Sequence, residues 1–233
     1  MKSKMRKGRN NLSFFLSVLR TEDGFIKILA IDQARNGAWA IFNYETKELE
    51  KYGTFSFGSK KYTYAKAILA IETLVDELIK ENDIAAVFIE DIQLRVNVQS
   101  FKKLAQLQGV LVNLFEKNEY LYSFVAPTQW QNYCKARGRS TKEIKEKIKT
   151  LEAAGKKESK ILSIQFVKDK FKVDTDNDNL SDAICIGHYA VNHFEIEGEA
   201  LHVKEKEQNL CKYIGEILRP AKSFSAGNSN ALW

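Results

Sequence analysis

The stretch FIKILAIDQARNGAWAIF, Phe25 to Phe42, decides the fold. It reads as an apolar strand from Phe25 to Ile31, an acid at Asp32, a tight turn through Arg35-Asn36-Gly37, and a second strand from Trp39 to Tyr44. An acid closing an apolar strand is costly to desolvate unless something cationic meets it. Asp32 is therefore a candidate metal or catalytic residue. The alternative is a turn aspartate that caps the hairpin, since Asp is a common turn residue.

On the N-terminal side, residues 1–11 carry five Lys/Arg and no acid. Residues 1–24 are expected to form a basic, partly disordered extension. The apolar run Leu12 to Leu19 is short and lacks a clean small-residue cleavage site, so it is not read as a secretion signal. On the C-terminal side, Tyr52 to Phe57 reads as a third strand. The period then changes: Ile68, Ile71, Val75, Leu78 and Ile79 share one face of a helix from about Tyr64 to Lys80. Ala86 to Ile89 is a short apolar strand ending at Glu90-Asp91. Phe101, Leu104, Ala105, Gln108, Leu111, Val112 and Phe115 fall in register on a second helix. Leu121 to Val125 is a fifth strand, stopped by Pro127. Three strands, helix, strand, helix, strand is the order of an α/β layer fold.

Beyond it the chain turns basic, with ten Lys/Arg against four Glu between Lys135 and Lys160. Ser140 and Glu143 form a capping box before a helix. Ile144, Ile148 and Leu151 line one of its faces, and Lys142, Lys145 and Lys149 another. A further helix is expected from Glu158 to Phe171, then a polar loop. Asp178 or Asn179 caps a last long helix from about Leu180 to His193. The domain proper is expected to span residues 25–195. Residues 196–233 are expected to hold a C-terminal helix and a disordered Ser-, Gly- and Asn-rich tail.

The 233 residues suffice for one domain with a full core or for two small ones. The net charge of +6 and pI near 9.0 suggest a polyanionic partner. No apolar run is long enough to span a membrane. Cys134, Cys185 and Cys211 are odd in number and form no CxxC, which points to a reduced, cytoplasmic setting without structural zinc. His188 and His193 read as surface or core filler rather than as a ligand pair.

Three acidic places stand out. Asp32 ends the first strand, Glu90 ends the fourth, and Asp182 lies in the first turn or so of the last helix, on the face of Asp178 and Asn179. If the first and fourth strands are parallel neighbours, their acidic ends lie side by side, and a helix packed on that end brings Asp182 to them. Carboxylates gathered so closely repel one another unless cations neutralise them. Hard oxygen ligands favour Mg2+ or Mn2+. Two such ions about 4 Å apart are an apparatus for in-line attack on a phosphodiester. Individually, Glu90 can equally be a strand-end surface charge and Asp178 a helix cap.

The segments ILAIDQARNGAWAIF, AVFIED, NVQSFKKLAQLQGVLV, VAPTQWQ and DNDNLSDAICIG resemble the RuvC-type Holliday junction resolvases of the RNase H-like superfamily, especially phage-encoded members. The resemblance covers Ile26 to Asn192. It implies a five-stranded mixed sheet flanked by helices on both faces, a homodimer with Val98 to Glu116 as interface helix, and Mg2+-dependent nicking of branched DNA, with Mn2+ as possible substitute and two ions in the site. Asp32, Glu90 and Asp182 match family acids, with Asp32 as the bridging ligand. The family's remaining acid falls on Asn179; Asp178 can replace it one residue earlier, or Asn179 can coordinate through its carbonyl oxygen. Lys160 matches a basic residue that stabilises charge at the scissile phosphate. A second family lysine falls on Gln131. The segment from Asn132 to Lys157 is longer than in the bacterial enzymes and reads as an added basic helix.

Lys102, Lys103, Arg137, Arg139, Lys142, Lys145 and Lys149 are candidate phosphate contacts, which position DNA without reading its sequence. Each taken singly can be a solvated helix face. Trp130 and Tyr133 can stack on exposed bases at a branch point, or pack in the core. Two other functions compete. A branched-DNA binder that cuts poorly follows from Asn179. An actin- or sugar-kinase-like ATP-dependent enzyme shares the strand ending in Asp, but it needs glycine-rich turns that Gln33 to Asn36 do not supply.

Overall fold

The computed structural model describes residues 25–58, 62–93, 97–136, 158–197 and 200–203. Strand β1, Lys27–Asp32, is buried from Ile28 onward, on both faces of the pleat. A strand buried on both faces belongs in the interior of a covered sheet. It pairs antiparallel with β2, Asn36–Asn43, and β2 pairs antiparallel with β3, Leu49–Ser56. On its other side β1 pairs parallel with β4, Ile84–Glu90, which pairs parallel with β5, Leu121–Val125. The sheet order is β3-β2-β1-β4-β5. The five-stranded mixed sheet is the one expected.

Helices cover both faces. Helix α1, Tyr64–Glu81, starts at Thr63, whose side chain accepts from the Lys66 amide. Helix α2, Val98–Lys117, starts at Asn97, which accepts from the Ser100 amide. Ile68, Ile71 and Val75 of α1 and Leu107, Leu111 and Phe115 of α2 form one core with Leu29, Ile31, Ile41, Val87 and Ile89 of the sheet. These sheet residues alternate along their strands with Ile28, Ala30, Phe42 and Phe88, which point to the opposite face.

Helix α5, Asp178–His193, lies over that opposite face. It packs most extensively on β1 and β2. Gly187 sets the closeness: a Cβ there would stand 2.5 Å from the Phe42 ring and 3.1 Å from the Ala30 Cβ. Helix α4, Glu158–Phe171, packs beside α5. His188 sits half-buried among the rings of Tyr133, Phe166 and Phe171. Burial there pushes its pKa down to about 4, with Lys170, His193 and Lys47 adding to the effect. This is the filler role expected of that histidine.

Three local features differ from the sequence-based expectations. Pro127–Tyr133 forms a short helix, α3, directly after β5. The N-cap of α5 is Asn177, which accepts from the Leu180 amide at 3.1 Å, rather than Asp178 or Asn179. Phe194–Glu197 and Ala200–Val203 form a two-stranded sheet, β6 and β7, where the C-terminal region was expected to begin with helix. Any helix further along residues 204–233 lies outside the described residues, as do the N-terminal extension 1–24 and the basic helix placed within 132–157 from residue 137 on. Apart from Val203, every described residue belongs to one compact unit. Among the described residues no helix is long and apolar enough to cross a membrane. Cys134 and Cys185 are buried free thiols.

Candidate active site

The register of β1 and β4 brings the first two acids together. Ile31 pairs with Ile89, so Asp32 and Glu90 are the next residues on adjacent parallel strands. Neighbouring strands lie about 4.8 Å apart. Asp32 is held at this level by the tight closure of β2: it pairs with Ala38, and a Cβ on Gly37 would stand 2.4 Å from the Asp32 carbonyl oxygen. Only glycine permits that approach. Arg35 Nη2 donates to the carbonyls of Phe57 and Tyr62, at 2.8 and 3.1 Å, and so ties the chain between β1 and β2 to those two residues.

Helix α5 supplies the third acid. Asp32, Glu90 and Asp182 line one cleft of about 370 Å³, together with Lys160 of α4 and Asn179. Burial, then the charges of Glu90 and Asp182, push the Asp32 carboxyl well above the usual carboxylate range, against the opposing pull of Lys160. Burial likewise pushes Asp182 up to about 7, although Ser163 and Lys160 act to lower it. Asp182 Oδ1 is buried without a hydrogen-bond partner among the described residues. Lys160 forms an ion pair with Asp178. Burial works against its positive charge, but that bond and the charges of Asp182, Asp178 and Asp32 outweigh it and raise its pKa.

The two candidates for the fourth ligand separate. Asn179 lines the cleft, and its Nδ2 donates to the Asn36 carbonyl at 2.9 Å. That bond fixes which end of the amide is nitrogen. Asp178 is engaged by Lys160 and is not among the residues lining the cleft. Lys102 and Lys103 are exposed on the first turns of α2. Arg137, Arg139, Lys142, Lys145 and Lys149 lie outside the described residues. Gln131, where the resemblance places a lysine, also lines the cleft.

Trp130 is only 1% exposed, so its ring is core and offers no face to a base. Tyr133 is 38% exposed, with its ring against His193 and His188. Two polar contacts at the site went unread in the sequence. Trp130 Nε1 donates to Glu90 Oε1 at 3.0 Å, and Gln33 Nε2 donates to the Glu90 carbonyl at 2.9 Å. The usable signal for the first is Pro127, which starts a helix directly after a strand parallel to β4.

Among the described residues, no three Asp, Glu, His or Cys side chains are grouped closely enough to hold a metal ion by themselves. The donors nevertheless suit a hard divalent cation. Asp182 Oδ1 is a buried acceptor that no described donor meets, and Asp32 and Asp182 repel each other at a site where a cation would relieve both. Mg2+ in particular uses one or two carboxylates and completes its shell with water and substrate phosphate.

No family model matches the chain. The chain is 28% identical over 156 residues to the crossover junction endodeoxyribonuclease RuvC of Sulfurovum sp. (strain NBC37-1), covering 61% of this chain and 98% of that protein. In fold it is similar to RuvC of Thermus thermophilus, with a TM-score of 0.53 at 14% identity over 70% of this chain and 92% of that one. It is also similar to T. thermophilus RuvC in complex with a Holliday junction substrate, with a TM-score of 0.51 at 13% identity over 70% of this chain and 91% of that one. At such identities the structural likeness establishes the RNase H-like fold.

Proposed function

We propose that this protein is a metal-dependent, structure-selective endonuclease that nicks phosphodiesters in Holliday junctions and other branched DNA. The observation that carries the reading is the convergence of Asp32, Glu90 and Asp182 on one cleft beside a cationic Lys160. The sequence similarity to a crossover junction endodeoxyribonuclease, over nearly the whole length of that protein, supports the same chemistry. Affiliation with phage-encoded members and a homodimer built on α2 follow from the sequence resemblance.

Asp32, Glu90 and Asp182 would supply carboxylate oxygens to the ion and Asn179 a neutral amide oxygen, with water and substrate phosphate completing the shell. A bound Mg2+ or Mn2+ supplies Lewis acidity at the scissile phosphate and a water of lowered pKa. Lys160 presents positive charge where the phosphate gains negative charge. Asp178 keeps Lys160 protonated and aimed. Lys102 and Lys103, with the basic residues between Arg137 and Lys149, hold the DNA backbone.

The test is a nicking assay on a labelled synthetic four-way junction in Mg2+ or Mn2+. Wild type cuts; Asp32→Asn and Glu90→Gln lose cutting by roughly a hundredfold or more while still binding the junction. Asn179 favours one second reading, a branched-DNA binder with weak cleavage, because a carboxamide contributes no charge to the ion. Tight junction binding without a nick in either metal would establish that reading. ATP hydrolysis without DNA cleavage would sink both.

A further inference from the structure

Two neutral side chains, Trp130 and Gln33, donate hydrogen bonds to Glu90. In sheet register it sits beside Val125, the last residue of β5. The chain then turns at Ala126 and enters α3 with Pro127, and the Gln129 side chain accepts from the Ala126 amide at 3.0 Å. That closed start aims the first turn of the helix back toward the end of β4. Trp130 is the fourth residue of α3, and its indole N–H donates to Glu90 Oε1 at 3.0 Å. On the other side Gln33, itself only 4% exposed, donates to the Glu90 main-chain oxygen at 2.9 Å.

The chemistry of the donor matters. A glutamate has three side-chain torsions, and ordering them on ion binding costs free energy. An indole N–H donates once, accepts nothing and does not titrate. It can therefore fix the direction of a carboxylate without cancelling its charge. Another nearby acid, Asp178, is held by the cation Lys160 and lies off the cleft. Glu90, whose carboxylate accepts from a neutral indole, lines the cleft. Donors that stand behind a ligating group in this way orient it and tune the affinity for the metal.

We propose that Trp130 is a positioning residue that preorganises the Glu90 carboxylate for the divalent ion. The inference rests on the reading of the cleft as a metal-dependent nuclease site. The test compares wild type with Trp130→Phe, and with protein in which Trp130 is replaced by benzothienylalanine, which keeps the bicyclic shape and lacks only the N–H. Mn2+ affinity is measured by the paramagnetic resonance of free Mn2+, and nicking is titrated against Mg2+.

Both variants should bind Mn2+ about tenfold more weakly and shift the Mg2+ midpoint by the same factor. Nicking at saturating Mg2+ and junction affinity in Ca2+ should stay near wild type. A purely packing role would instead lower the melting temperature of Trp130→Phe and leave the benzothienylalanine protein with wild-type metal affinity. That result overturns the proposal while leaving the nuclease reading intact. If wild type itself neither binds Mn2+ nor nicks a junction, both fall together.

Discussion

Asp182 enters the cleft one turn into α5 with an oxygen that no described residue satisfies. Its folded-state pKa of about 7 lies above the ordinary 3.8, so between those values the folded protein holds a proton that the unfolded chain releases. Asp182 therefore makes stability without metal fall as pH rises from about 4 to 7, and Asp32, whose carboxyl is also raised, adds to the fall. Urea unfolding in EDTA should show this slope. Asp182→Asn should make it shallower and stabilise the metal-free protein at pH 8 by on the order of 2 kcal/mol, with little effect near pH 4. Mg2+ should stabilise wild type and not the variant.

The neighbouring pair makes a second contrast. Asn179→Asp adds a charge to a residue already lining the cleft, and should tighten Mn2+ binding by about tenfold. Asp178→Asn should leave the metal midpoint unchanged and slow nicking, because it releases Lys160. Weaker Mn2+ binding in Asp178→Asn would move the ligand assignment to Asp178. The sequence could not separate these residues. Asn177, Asp178 and Asn179 are all able caps, and only the backbone decides which one accepts from Leu180.

At the scale of elements, the long segments were legible and the short ones were not. Helices α1, α2 and α5 each run for about four turns or more, long enough for an apolar stripe to show its period. Helix α3 has seven residues, and strands β6 and β7 have four each, too few to display one. The hydrogen bond from Trp130 to Glu90 was hidden for the same reason, because it depends on α3 existing. Packing of α5 on the sheet makes a separate prediction. Alanine is the better helix former, by about 1 kcal/mol over glycine. Gly187→Ala should nevertheless destabilise the protein by about 1–3 kcal/mol, since its Cβ would press on the fully buried Phe42 ring. A chemical-denaturation midpoint at or above wild type would show that α5 can lift off the sheet at no cost.

For the whole molecule, the acids could be found in the sequence because each stands where an apolar segment starts or stops. Their convergence depends on one fact of topology, the parallel pairing of β1 with β4. The helical crossover through α1 makes it possible, since a parallel neighbour cannot be reached by a tight turn. The charge balance leads to a further measurement. A net charge of +6, with a basic excess between Lys135 and Lys160, should make junction binding steeply salt-dependent. Replacing Arg137, Arg139, Lys142, Lys145 and Lys149 by Ala should lower the log–log salt slope by about 0.9 for each phosphate that is no longer neutralised, leaving Mn2+ affinity alone. An unchanged slope would assign those residues to solvent.

The sheet is complete at Val125, yet the helix that covers its second face runs only from Asp178 to His193. On a ribosome these arrive at different times. A growing chain that has just released β5 already carries Asp32 and Glu90, but Ala30, Phe42 and Phe88 have no cover and the third acid has not been made. Such a chain exposes an apolar face that holds it open to chaperones. It also lacks the carboxylate that completes the cleft. The proposed nuclease site is thus complete only once the last long helix has docked.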